Sequence, residues 1–166
     1  MLTNVILFLI GIVLSQQPTV AHERDVQRVA MDGWVAARAL APKGGALELL
    51  GPVNARLREL DRMSNVSARY AEVAIRAAAS AAQEERDEMQ LFLEHARDLS
   101  RQLALAGDPA QYPLPIDELE GELWLEVDRF LEAKHYYEQA VKLKPTVNAL
   151  IGLARANDKL GDVIGA

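Results

Sequence analysis

With 166 residues, half of them hydrophobic, the chain is long enough for one domain with a substantial core. Its formal charge of −6 falls entirely beyond residue 21, because residues 1–21 hold no charged side chain, and an acidic body disfavours nucleic acid. No cysteine is present, which excludes disulfides, thiol catalysis and a lipidated N-terminal Cys while leaving the redox compartment open.

The N-terminal segment reads as a secretory signal. Val5 to Leu14 is an unbroken apolar run, Ser15-Gln16-Gln17-Pro18 is polar, and Thr19-Val20-Ala21 offers small residues at the −3 and −1 positions of a cleavage site before His22. The run is shorter than the ~20 residues of a spanning helix. No Lys or Arg precedes it, so an uncleaved N-terminal anchor and a misplaced start codon stand as alternatives. Export (periplasmic or secreted) is the expectation, with a membrane reached only through residues 1–21 if they are retained.

From residue 22 on, Ala, Leu, Glu and Arg dominate and no segment alternates as a strand, so the body is expected to be all-α. A first helix over about 23–40 carries Val26, Ala30, Gly33, Ala37 and Leu40 at helical spacing. Pro42-Lys43-Gly44-Gly45 stops it. A return helix carries Leu47, Leu50, Val53, Leu57, Leu60 and Met63, with Gly51-Pro52 as a kink or a restart. A second hairpin is expected from Ser67–Ala82, rich in small alanines, and Glu84–Leu105, with Met89, Phe92, Ala96, Leu99 and Leu103 on one face. Nothing between Ala79 and Met89 is Gly or Pro, so one helix from about Ser67 to Leu105 is the rival. Gly107-Asp108-Pro109 ends that arm, and Pro113 and Pro115 predict a stiff, extended link. Ile116, Leu119, Leu123 and Val127 then mark a helix face, followed by a helix over about Phe130 to Leu143 that buries Ala133, Tyr137, Ala140 and Val141. Pro145 opens a last unit in which Leu150, Leu153 and Ala154 continue the pattern.

The order Gly121, Trp124, Ala133, Tyr137, Ala140, Pro145 resembles the tetratricopeptide repeat, a helix–turn–helix of about 34 residues. At a spacing of 33, Val127–Ala133 recurs as Leu160–Ala166. The resemblance covers residues 116–166. It puts Gly121 in the small slot where two helices touch, with Ala154 filling that slot in the next unit, and Trp124 in a large aromatic slot. Asp117 departs from it, standing where the repeat often has Trp, and so does Glu120, where it usually has Leu. Gly33 takes a comparable small slot in the first hairpin. The Ala/Leu-rich hairpin, Pro-containing link and following Glu118–Leu123 unit are also similar to the C-terminal halves of exported bacterial proteins with degenerate repeats. The implied architecture is antiparallel hairpins stacked as a right-handed superhelix, an α-solenoid, at about 23–63, 66–105, 116–144 and an incomplete 147–166. The implied work is non-catalytic binding of other proteins. A structural edge module, or a piece of a larger exported assembly, is the alternative.

Glu118, Glu122 and Glu126 lie at i, i+4 and i+8. By the resemblance they face the concave groove, where they favour a basic protein or peptide partner; without it they are a solvated helix face. Trp34 and Trp124 read as core first and groove anchors second. His22, His95 and His135 are scattered, and Glu84–Glu88 lacks the glycine and spacing of a calcium loop, so neither a metal site nor a cofactor is expected. No nucleophile, phosphate-loop or dinucleotide motif is found, so no catalytic residue is assigned. Asn65-Val66-Ser67 is a glycosylation sequon, meaningful only in a eukaryotic secretory cell. The fourth unit is expected to turn at Gly161-Asp162 and stop, leaving Leu150, Leu153 and Leu160 short of cover. A partner or second copy, a longer native chain, or packing back on the third hairpin would each resolve this. Self-association through the C-terminal edge, or docking of a partner helix there, is the expectation.

Overall fold

The computed structural model describes residues 22–40, 50–108 and 111–164. The expected signal or anchor, the Pro42–Gly45 stop, Leu47, Pro109 and Ala166 lie outside them. Among the described residues there are seven helices and no strand: α1 over 22–38, α2 Leu50–Asp61, α3 Val66–Ala82, α4 Arg86–Leu105, α5 Ile116–Glu126, α6 Phe130–Leu143 and α7 Val147–Ile164.

The first two helices bury the faces that their periodicity marks. Val26, Val29, Ala30, Gly33, Ala37 and Leu40 are inside on one side, Val53, Leu57 and Leu60 on the other. Gly33 sits so close to α3 that a Cβ there would meet Ile75 Cδ1 at 2.5 Å. Pro52 falls in the first turn of α2, where its missing N–H has no intrahelical acceptor to lose.

Residues 66–105 form two helices, not one. Asn65 caps α3, its Oδ1 accepting from Ala68 N at 2.7 Å, and the helix then ends without Gly or Pro. Glu84 takes a left-handed φ of 64°, which lets Glu85 N reach Ser80 O at 2.9 Å and Glu84 N reach Ala81 O at 3.1 Å. That pair of bonds is a Schellman ending. The same pattern ends α4 at Gly107 (φ 74°) and α5 at Asp128 (φ 61°), where Arg129 N reaches Trp124 O at 2.9 Å.

Over the described residues 111–115 the link before α5 is bent, not extended. Pro113 follows a cis peptide, and Tyr112 and Leu114 pack against the core. Tyr70 Oη donates to Leu114 O at 2.7 Å, and Gln111 Oε1 accepts from Ile116 N at 3.0 Å. Side chains reaching across from α3, and from within the link itself, override the extended preference of proline.

Two expectations for the last unit do not hold. There is no turn at Gly161-Asp162, because α7 stays helical through both residues. The spacing-33 recurrence is therefore compositional: residues 127–129 turn, whereas residues 160–164 are helix. Nor does Ala154 fill the small slot, since it is exposed. The buried small residues of α7 are Ala149, Gly152 and Ala156.

Helices joined by short turns fold back on one another, α3 on α4, α5 on α6 and α6 on α7. The odd-numbered helices also touch in series, α3 against α5 and α5 against α7. This is packing of consecutive hairpins, compatible with a helical repeat protein. The centre is α3, whose alanines let neighbours approach from almost every side. Only Arg69 and Arg76 are exposed along it, with Glu72 half-buried between them. Its cluster extends from α1 to α5, and a smaller one joins Leu125, Ala133, Tyr137 and Ala156; Trp124 packs against both.

Candidate binding groove

Tyr137 organises the space between α5 and α7. Its ring is 2% exposed and lies between two glycines. A Cβ on Gly121 would meet the ring at 2.9 Å, and one on Gly152 would meet Cζ at 2.1 Å. Only residues without side chains leave room for the phenol there, and the ring in turn sets the separation of α5, α6 and α7. Burial, and then the bond to Glu122, push the Tyr137 hydroxyl far above its ordinary pKa, so it stays a donor. It donates to Glu122 Oε2 at 2.7 Å.

Above this floor a groove of about 260 Å³ opens, walled by Trp34 of α1, Glu118 and Glu122 of α5, and Asn148, Ile151 and Arg155 of α7. It brings together two of the three expected acidic residues, but not as a bare acidic surface. Arg38 Nη2 bonds Glu122 Oε1 at 2.8 Å, and its Nη1 bonds Glu126. Arg155 Nη1 lies 3.4 Å from Glu122 Oε2. Arg38 also covers the Trp34 ring, 5.7 Å from its centroid. Glu126 is thereby drawn into the α1–α5 contact, with its Oε1 buried and without a hydrogen-bond partner. Glu118 differs from both. It is 4% exposed, and its Oε1 accepts from the neutral Thr146 hydroxyl at 2.8 Å. These carboxylates are neither solvated nor all available, because the protein supplies cations for two of them.

The remaining signature residues sit around this arrangement. Ala133 and Ala140 are buried and Trp124 half-buried, while Pro145 is exposed in the link to α7. The two departures from the repeat pattern come together: Asp117 Oδ1 lies 2.9 Å from Arg97 Nη2 of α4, and the Glu120 carboxylate receives both Nε, at 3.0 Å, and Nη2 of the same guanidinium. Arg97 also covers the Tyr136 ring at 5.5 Å. Burial raises the Glu120 carboxyl despite this partner, and the Glu120 bond raises Arg97 in turn. Where a repeat uses apolar contacts between these helices, this chain uses a charge cluster.

No sequence motif marks Arg38, Arg97, Arg155 or Thr146. Arg38 pairs with residues 84 and 88 positions away, and no local spacing announces that. His22 meets the Asn65 side chain, His95 is exposed and His135 stacks edge-on to Tyr136. The sequon asparagine is occupied as the α3 cap. Among the described residues no group of three or more His, Asp or Glu could hold a metal ion, and no helix is long and apolar enough to cross a membrane. No family model, no curated protein and no solved structure matches the chain.

Proposed function

We propose that the chain is a non-catalytic binding scaffold of the tetratricopeptide type, acting in an exported compartment, with a protein segment held between α1, α5 and α7. The groove over Tyr137 carries this reading. It lies on the side where odd-numbered helices touch in series, and it offers an aromatic wall (Trp34), an apolar lip (Ile151) and polar groups of both signs. Among the described residues Glu118 is the carboxylate of the stripe bonded to a neutral hydroxyl and not to a cation, so a basic side chain of the bound segment belongs beside it.

Reversing the charge of Glu122 or Glu126 would break the α1–α5 contact, so lost binding in such variants would not separate recognition from folding. Filling the groove does. Asn148 is exposed on its wall, and Asn148→Trp should abolish recovery of partners in a pull-down with the tagged protein while leaving the circular dichroism spectrum unchanged. Equal recovery by parent and variant removes the groove from the proposal. Export is tested separately by sequencing the N-terminus of the chain recovered from an exporting bacterium. His22 in first place supports a cleaved signal, and Met1 in the membrane fraction supports an anchor. A second reading, a structural edge module, is favoured by one observation: among the described residues nothing covers Val147, Leu150 and Ile151 of α7, which stand exposed.

A further inference from the structure

Five carboxylates stand on α5, and arginines bond four of them. Arg97 meets Asp117 and Glu120, Arg38 meets Glu122 and Glu126, and Arg155 adds to Glu122. The fifth, Glu118, stands between two cavities. It is almost fully buried, and its Oε1 accepts from the Thr146 hydroxyl. That proton is the only one Thr146 can give, and its Oγ1 in turn accepts from Ala149 N at 3.0 Å to cap α7. Glu118 Oε2 is left without a hydrogen-bond partner among the described residues, and unlike Glu126 Oε1 it is not sealed off. A buried carboxylate held by one neutral hydroxyl is an incomplete site, because burying a charge is costly until a cation or further donors meet it.

The second cavity, separate from the groove over Tyr137, opens between α4 and α6 at the start of α5. It measures about 680 Å³, within the roughly 300–1,000 Å³ of small-molecule sites. Ala104, Pro115, Ile116, Ala140 and Leu143 give it apolar walls, and Glu118 and Thr146 give it a polar end. We propose that this cavity binds a small primary alkylammonium ion, with its nitrogen on Glu118 Oε2 and its chain along the apolar walls. One free carboxylate oxygen suits a single ammonium N–H, whereas the fork of a guanidinium needs both oxygens. A second N–H can meet the remaining lone pair of Thr146 Oγ1. A quaternary ammonium has no proton to donate, and a calcium or magnesium ion needs several oxygens at once. The charge around the cavity agrees. Arg97 leaves one negative charge on Asp117 and Glu120, Glu118 adds another, and Lys144, exposed and in no ion pair among the described residues, returns only one. The site needs no protein partner and so stands apart from the groove, although an amine on Glu118 takes up the carboxylate that a basic segment there would meet.

The test is isothermal titration calorimetry of the full chain with n-pentylammonium, beside n-pentanol and n-pentanoate as neutral and anionic probes. Pentylammonium should bind saturably at one site per chain, about tenfold or more tighter than either, the margin of one charge-assisted hydrogen bond. Glu118→Gln keeps an oxygen for Thr146, and should weaken pentylammonium about tenfold without changing the helical spectrum. Ala104→Trp fills the cavity from an exposed position and should abolish binding even if Glu118→Gln misfolds. Asn148→Trp, which fills the groove and not this cavity, should leave pentylammonium affinity unchanged, so the two sites fail or succeed separately. No saturable binding, pentanol binding as tightly, pentanoate binding more tightly through Lys144, or affinity unmoved by Glu118→Gln and Ala104→Trp overturns the proposal. Acetyl-Gly-Lys-Gly-amide carries the same ammonium on a peptide. If it binds more tightly than pentylammonium, the cavity belongs to a lysine of a protein partner and the free-amine assignment is overturned.

Discussion

Tyr137 fills a slot that two glycines keep open, and the sizes of these residues are therefore coupled. Gly152→Ala places a methyl at 2.1 Å from Cζ, 2.2 Å from Cε1 and 2.6 Å from Oη of a buried ring, so the ring or the helix must move. Alanine is the better helix former, but overpacking of this kind costs about 1–3 kcal/mol and outweighs that gain. Gly161 gives the control. It lies in the same helix with nothing within 4 Å of its Cβ position, so Gly161→Ala should stabilise by about 0.5–1 kcal/mol. Denaturant midpoints that move the same way for both substitutions would show that Tyr137 is not wedged between α5 and α7. Ala133 is tested likewise. It is fully buried, and Ala133→Leu should cost about 1–3 kcal/mol. An unchanged midpoint would put its side chain in solvent.

At the scale of the element, what sequence reveals is periodicity, and what it hides is how helices stop. The stripes of α1 and α4 were legible because burial leaves a local mark, an apolar residue every three or four positions. The break between α3 and α4 left none. Its left-handed residue is Glu84, indistinguishable in sequence from the charged residues around it, and the α5 ending at Asp128 is hidden in the same way. The opposite error occurs in α7, where Gly161 suggests a turn yet nothing there forces one. The repeat pattern puts the small slot of that helix two residues late, at Ala154, because both residues are small and only contact with Tyr137 shows that position 152 must lack a Cβ. Two predictions follow from the observed endings. A non-glycine residue in the left-handed region costs roughly 1–2 kcal/mol, partly offset by the chain entropy that glycine loses on folding. Glu84→Gly should therefore leave stability unchanged or raise it by about 1 kcal/mol, read from thermal melts, and a clear loss would mean that the Glu84 side chain supports the turn. Asn65→Ala removes the oxygen that accepts from Ala68 N, and should cost about 1 kcal/mol.

Over the whole molecule, α5 is an acidic helix held from two sides by arginine. Arg38 reaches it from α1 at Glu122 and Glu126, and Arg97 reaches it from α4 at Asp117 and Glu120. Sequence shows the carboxylates but not the cations, whose partners are distant along the chain, so the acidic stripe reads as outward-facing when much of it faces inward. The Arg97 side makes a pH-dependent prediction. Glu120 is almost fully buried, and burial raises its carboxyl above the ordinary value of 4.5 even with Arg97 present. Arg97→Met removes the nearest cation and leaves a buried carboxylate facing Asp117. Removing one partner of a buried pair costs about 3–5 kcal/mol; because the Arg97 head keeps 31% of its exposure, the lower end is expected near neutral pH. A carboxyl raised in the folded state binds its proton more tightly there than in the unfolded chain. Its ionisation therefore destabilises the fold above the folded pKa, and that penalty disappears as the pH falls through the folded pKa toward 4.5. The gap in unfolding free energy between parent and Arg97→Met should thus narrow on acidification, and the further change Glu120→Leu should close most of it at neutral pH by replacing the stranded charge with an apolar group. A gap of constant size at every pH, unmoved by Glu120→Leu, would mean that Arg97 acts through its packing over Tyr136 alone and that α5 is not held to α4 by charge.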